Sequence, residues 1–253
     1  MPRKFGQHFL RDQAVLQRIA AAACPETEPL VIEIGPGRGA LTRPLLSRCE
    51  KLIAIEVDPE MVLHLERQMA GEERFSVRHQ DVLKVDLREF APCVIAGNLP
   101  YYISSPIASL VFAAAGAWKR AVFLVQKEVA MRMAAQQGSR DYGYLSVMTQ
   151  VHATATILFT VPPSAFSPPP KVDSAVILLE PKVVDAEYAR RFLQFASRSF
   201  LHKRKMLRNN LSAFYGKANL EAQPEATLRA EQLSIAQLEA LFARLSSLGP
   251  MLS

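Results

Sequence analysis

The sequence predicts an α/β protein: a mostly parallel sheet with an antiparallel edge strand, followed by a small all-helical domain. Three observations carry this expectation. Short apolar runs alternate with stretches of helical spacing from residue 30 to residue 125, the pattern of parallel strands joined by crossover helices. Two further strand-like runs, ATILFTV and SAVILLEP, follow one another with only a proline-rich loop between them. Beyond Pro181 the apolar residues recur at helical spacing, so the boundary falls near residue 182 and separates domains 1–182 and 183–253.

Each element has its own reason. Asp12 is placed to cap a helix whose Val15, Leu16 and Ile19 share one face. LVIEI at 30 to 34 is an apolar run ending in glycines, as a buried strand feeding a tight turn should be. Ala40 to Ser47 reads as helix, LIAIEVD at 52 to 58 as strand, and Pro59 to Met69 as a helix with proline in its first turn. FSVRH at 75 to 79, CVIA at 93 to 96 and AVFLV at 121 to 125 are the next strands. In the second domain Tyr188, Phe192 and Phe195 share a helix face. Ser234 and Gln237 have capping-box spacing ahead of Ile235, Leu238, Phe242 and Leu245.

Composition narrows the function. With 253 residues, 49% of them hydrophobic, the chain can bury a sizeable core. Its longest weakly polar run, ASLVFAAAGAW at 108 to 118, is too short for a bilayer, and MPRKFGQHFL lacks the apolar centre of a secretion signal. No membrane partner is expected, and cytoplasm is the expected location. Cys24, Cys49 and Cys93 have no metal-binding spacing, nor do the five His residues, so no metal is expected. Net charge is +6, and between Tyr188 and Leu220 there are eight Lys or Arg residues and no Asp or Glu. A solvated helix face usually mixes both signs; one-signed charge over this length favours a polyanion.

EIGPGRGALT follows the first predicted strand, with Gly35, Gly37 and Gly39 in a G-x-G-x-G frame that departs from the usual dinucleotide fingerprint. A purely structural turn would use the same glycines. The second strand, however, ends in Glu56, about 20 residues after the first glycine, where a carboxylate can accept both ribose hydroxyls. The third leads to Asp81, placed to accept from an adenine amine. Ligands of open α/β sheets bind at the carboxyl ends of the strands, where these acids fall. NAD and S-adenosylmethionine both carry an adenosine, so the acids leave both open.

The fourth strand separates them. It runs into GNLPYYISSP, Gly97 to Pro106. The Asn98 side chain can accept a hydrogen bond from an exocyclic amine. Pro100 stiffens the backbone so that a nearby carbonyl can accept a second, and Tyr101 offers a face for a base. Two acceptors on one amine turn its lone pair toward an incoming methyl group. Against an already activated sulfonium donor, placement and electrostatics then suffice without a strong base.

EIGPGRGALT, the acid of AIEVD, QDVL and GNLPYYIS together resemble the cofactor and amine-binding motifs of class I adenine methyltransferases. KFGQHFL, LVQKEVAMRM, YGYLSVM, PPSAFSPPPKVDSAV and RAEQLSIAQL extend the resemblance over nearly the whole chain. They make it similar to the small-subunit ribosomal RNA adenine dimethyltransferases, the KsgA/RsmA family. The resemblance implies a Rossmann-like class I methyltransferase sheet that uses S-adenosyl-L-methionine. It implies that Gln7, His8 and Leu10 flank the cofactor, that Glu33, Gly35 and Gly37 hold its methionine end, and that Glu56 binds the ribose with Val57 against the adenine ring. Asp81 and Val82 would read the adenine edge. Asn98, beside both cofactor and substrate, would hold the target amine with the Leu99, Pro100 and Tyr101 backbone, and Phe166 would cover the other face of the base. Lys171, Arg198, Lys203, Arg204, Lys205 and Arg208 would contact RNA phosphates. The implied target is a pair of adjacent adenines near the 3′ end of 16S rRNA, each methylated twice, on an assembling small subunit, by a monomer. Tyr102 stands where relatives commonly carry Asn or His.

Two other readings compete: an Erm-type enzyme that methylates large-subunit rRNA, and a non-catalytic RNA-binding or assembly factor that keeps the cofactor fold. The PPSAFSPPPKVDSAV block and the tail disfavour the first. The intact Glu33, Glu56, Asp81 and NLPY set disfavours the second. A NAD-linked oxidoreductase is more distant, since no Tyr-Lys pair or hydride-handling His falls near the site.

Overall fold

In the computed structural model, which describes residues 8–248, the alternation expected from the apolar runs is present. A two-residue strand β1 (Phe9–Leu10) and helix α1 (Gln13–Ala23) precede the first long strand, β2 (Glu28–Ile34). Then come α2 (Thr42–Leu46), β3 (Cys49–Glu56), α3 (Pro59–Gln68), β4 (Phe75–His79), β5 (Cys93–Asn98), α4 (Ser104–Ala113), β6 (Trp118–Gln126) and α5 (Lys127–Ala134). They are followed by α6 (Tyr144–His152), β7 (Ala153–Val161), β8 (Phe166–Ser167) and β9 (Ser174–Pro181). The remaining helices are α7 (Ala186–Ser199), α8 (Leu207–Tyr215), α9 (Lys217–Glu221) and α10 (Ile235–Ser247).

Seven strands form one sheet in the order β4-β3-β2-β5-β6-β9-β7. β2 pairs in parallel with both β3 and β5, β3 with β4, and β5 with β6. The antiparallel pairing falls at the expected end: β9 runs against both β6 and β7, so the reversed strand lies one place in from the edge. Burial explains why the middle strands read as unbroken apolar runs. Val31, Ile32, Val94, Ile95, Ala96 and Val122 are fully covered, whereas β4 at the edge has no buried residue. Helix α1, capped by Asp12 through Ala14 N–H and Val15 N–H, lays Val15, Leu16 and Ile19 on the same core as Val31, Val94 and Val122. The helix expected from Ala40 begins only at Thr42, because the glycine turn extends through Leu41.

The chain separates into two compact units, residues 1–130 with 153–183, and residues 131–152 with 184–253. A single boundary near residue 182 therefore omits one segment: Met131–His152 groups with the C-terminal helices. The physical reason is its apolar residues. Tyr142, Val147 and Val151 pack in the cluster built by Phe192, Phe195, Leu211, Leu238 and Phe242. In that cluster the Phe242 ring lies 5.7 Å from Phe192 and 5.5 Å from Phe195. The capping box forms as expected, with Ser234 Oγ accepting from Gln237 N–H and the Gln237 side chain accepting from Ser234 N–H.

Candidate active site

Where strand order reverses, between β2 and β5, the carboxyl ends of the sheet open into a cleft of about 1100 Å³ of atom-free space, mouth included. Its floor is set by two glycines for different reasons. Gly37 has φ +55°, and a Cβ there would sit 3.2 Å from the Phe9 ring. At Gly97 a Cβ would lie 2.5 Å from the Ile34 carbonyl oxygen, so only glycine lets β5 run this close to the end of β2.

Two buried carboxyl groups face this floor. Glu33 is 1% exposed and its Oε2 accepts from Thr42 Oγ1 at 2.7 Å. Burial pushes its pKa up to about 8; the Thr42 hydrogen bond opposes the rise and the nearby Glu56 carboxylate adds to it. Glu56 ties the loops together. Its Oε2 accepts from Gly37 N–H at 3.0 Å, and its Oε1 accepts from Val57 N–H and Asp58 N–H at 2.9 and 3.0 Å. Of roughly four acceptor positions on a carboxylate, about one remains for a ligand. Further along the wall Val57 is exposed although apolar, Val82 is buried, and Asp81 caps the next turn with Oδ1 on Leu83 N–H.

The loop after β5 is held from several sides. Leu99 N–H donates to Leu124 O, Ile103 N–H to Pro100 O, and Ser104 Oγ to Tyr101 O. Of the Leu99, Pro100 and Tyr101 carbonyls, Leu99 O accepts no hydrogen bond among the described residues. Asn98 Nδ2 donates to His8 O at 3.3 Å, which engages the nitrogen end of the amide, and Oδ1 accepts no hydrogen bond among the described residues. The Tyr101 hydroxyl bonds Ser174 Oγ at 2.8 Å, and its ring stacks on His8 at a centroid distance of 5.8 Å. Burial raises the Tyr101 pKa, so the phenol stays neutral. His8 Nδ1–H donates to Pro168 O at 2.8 Å, and β1 pairs with β8, setting Leu10 opposite Phe166.

The cleft thus collects His8, Leu10, Glu33, Gly35, Gly37, Glu56, Val57, Asp81, Val82, Asn98, Leu99, Pro100, Tyr101 and Phe166, all expected from the sequence. Gln7 lies outside the described residues. Lys171 is exposed in the loop after the prolines. In the helical unit Lys203, Arg204 and Lys205 lie in the exposed turn between α7 and α8, with Arg208 on the first turn of α8. None of the four is in an ion pair among the described residues; Lys203 Nζ donates to Arg140 O. Arg198 is half-buried with its guanidinium 3.9 Å over Phe214.

Sequence reasoning missed Phe9, Thr42 and Ser174. Each acts through a partner far along the chain or nine residues away, where no periodicity relates the two. The three cysteines are buried free thiols, their pKa values raised by burial to about 11 or 12.

A sheet in this order, with glycine loop, carboxylates and Asn-Leu-Pro-Tyr turn at one mouth, defines a class I methyltransferase. Solved structures agree. The dimethyladenosine transferase from Plasmodium falciparum superposes with TM-score 0.80 at 25% identity, covering 96% of this chain and 99% of that one. The 23S rRNA methyltransferase ErmE gives TM-score 0.70 at 26% identity, covering 94% and 99%. A ribosomal RNA small subunit methyltransferase A from Xanthomonas oryzae pv. oryzae (strain PXO99A) is 43% identical over 255 residues, 98% of this chain and 96% of the relative. The family model for ribosomal RNA adenine dimethylase matches residues 1–246, and the chain belongs to that family.

Proposed function

We propose that the protein transfers methyl groups from S-adenosyl-L-methionine to the exocyclic amines of two adjacent adenines near the 3′ end of 16S rRNA, acting as a cytoplasmic monomer on the assembling small subunit. One observation carries the reading: Asn98 has its Nδ2 committed to His8 O, and its free Oδ1 shares a cleft with the rings of Tyr101 and Phe166. The small-subunit name of the 43% identical relative supports the choice of RNA.

The cleft suits the cofactor. Two buried carboxyl groups in largely apolar walls match a ligand carrying a sulfonium and an ammonium, and the glycine loop admits its close approach. Glu33 and the Gly35–Gly37 loop would hold the methionine end. Glu56 would hold the ribose, with Asp81, Val57 and Val82 about the adenine and His8 and Leu10 covering it. When bound, the cofactor supplies a methyl group already activated on sulfur. The chain's own part is placement. Asn98 Oδ1 and the free Leu99 carbonyl accept the two amine hydrogens, which aims the nitrogen lone pair and stabilises positive charge as it builds there. Tyr101 and Phe166 hold the ring of a base taken from its stack. Lys171, Arg198, Lys203, Arg204, Lys205 and Arg208 contact phosphates.

Tritiated cofactor offered with unmethylated small and large subunits tests this. Label in two adjacent adenines of small-subunit RNA, located by mass spectrometry, is the expected result. Label confined to large-subunit RNA, as the likeness to ErmE allows, overturns it.

A further inference from the structure

Tyr101 and Tyr102 are neighbours in one turn, yet their side chains part. Tyr101 is half-buried with its hydroxyl on Ser174, whereas Tyr102 is 62% exposed on the rim of the same cleft. Among the described residues the Tyr102 side chain makes no hydrogen bond, ring contact or ion pair, so it serves neither the core nor the loop's anchoring. A single exposed tyrosine elsewhere on a surface would need no explanation. This one lines the mouth of the cleft proposed to take a base.

We propose that Tyr102 is a second stacking platform, which takes the base next to the one held in the cleft. The inference rests on the reading that an RNA base enters between Tyr101 and Phe166. Adjacent residues have Cα atoms about 3.8 Å apart, so consecutive rings, one inward and one outward, can engage consecutive bases of an unstacked strand. Aromatic platforms of this kind are tolerant of sequence, because every base has a flat face, and larger purine faces gain more contact. The ligand class is therefore unpaired RNA with a purine beside the target, as two adjacent adenines provide. A small or polar side chain at this position would hold the first base and leave the second in water.

The test uses unmethylated small subunits with wild-type protein, Tyr102→Ala and Tyr102→Phe. It measures single-turnover methylation, subunit affinity by filter retention and cofactor affinity by calorimetry. Stacking predicts that Tyr102→Ala loses roughly five- to a hundredfold in subunit affinity or in methylation at limiting enzyme. Tyr102→Phe stays near wild type, and cofactor affinity is unchanged in both. In subunits reconstituted with one of the two adenines abasic, wild type and Tyr102→Ala should methylate the other adenine equally. An undiminished Tyr102→Ala, a Tyr102→Phe as weak as the alanine variant, or an alanine defect that persists on the abasic subunit overturns the platform. Wild-type protein inactive on small subunits overturns the underlying reading instead, and the platform with it.

Discussion

If Glu33 holds the methionine end as proposed, cofactor binding should be a proton-coupled event, and the size of the coupling follows from the environment of this residue. Its carboxyl is fully buried, and its pKa stands at about 8 instead of the ordinary 4.5. At pH 7 the free protein therefore carries this proton in roughly nine molecules of ten. A ligand bringing an ammonium and a sulfonium needs the carboxylate, so binding should expel ~0.9 proton at pH 7. Affinity should fall as pH drops below 8, approaching tenfold per pH unit, so that it is about tenfold weaker at pH 6 than at pH 7. Calorimetric titration with S-adenosyl-L-methionine in two buffers of different ionisation enthalpy reads the proton number directly. Glu33→Gln should abolish the release and flatten the pH profile. Proton release near zero at pH 7, or an affinity indifferent to pH between 6 and 8, would refute the reasoning. The sign for the free protein is opposite. Folding favours the protonated acid, so this contribution to stability is fully present below pH 4.5 and is lost as pH rises to and through about 8. The melting temperature of wild type should therefore decline over that window more than that of Glu33→Gln.

Three further outcomes are expected. Asn98→Ala should lower single-turnover methylation by roughly a hundredfold or more while cofactor affinity, read by calorimetry, changes little; an equal loss of both would make Asn98 structural. Neutralising Lys203, Arg204, Lys205 and Arg208 together should weaken subunit binding and reduce its log–log salt slope by roughly 3 to 4, and an unchanged slope would remove this turn from the RNA surface. Phe192→Ala, at a fully buried ring against Phe195 and Phe242, should cost about 3–5 kcal/mol in denaturant unfolding of the helical unit.

The central strands were legible because burial on both faces leaves an uninterrupted apolar signal, as in CVIA and AVFLV. The residues of the cleft were legible because each sits at the end of such a strand, or within a motif that survives as contiguous letters. What escaped was written in distant pairs. Ser174 meets Tyr101 across 73 positions, and Pro168 meets His8 across 160. The two-residue strands β1 and β8 are too short to show any period. Met131–His152 has no composition break at either end, and only the packing of Tyr142, Val147 and Val151 reveals which core it serves. The reach of Glu56 to Gly37 N–H was equally silent, since a carboxylate at a strand end looks the same whether it awaits a ligand or clamps a loop.

The segment that pairs β1 with β8 has a consequence for the order in which the site comes into being. A ribosome delivers His8, the glycine loop, Glu56 and Asp81 long before Phe166 and Ser174. The half of the cleft that suits the cofactor is thus encoded early and the half that closes on a base late. His8 can offer its carbonyl to Asn98 as soon as residue 98 has emerged, but it gains Pro168 as a partner only some seventy residues afterwards. A chain interrupted in that interval would carry Asn98 and Tyr101 without Phe166, which lines the same cleft. Phe166 in β8 and the Ser174 partner of Tyr101 at the start of β9, the strand that runs against all the others, are the last parts of the cleft to be synthesised.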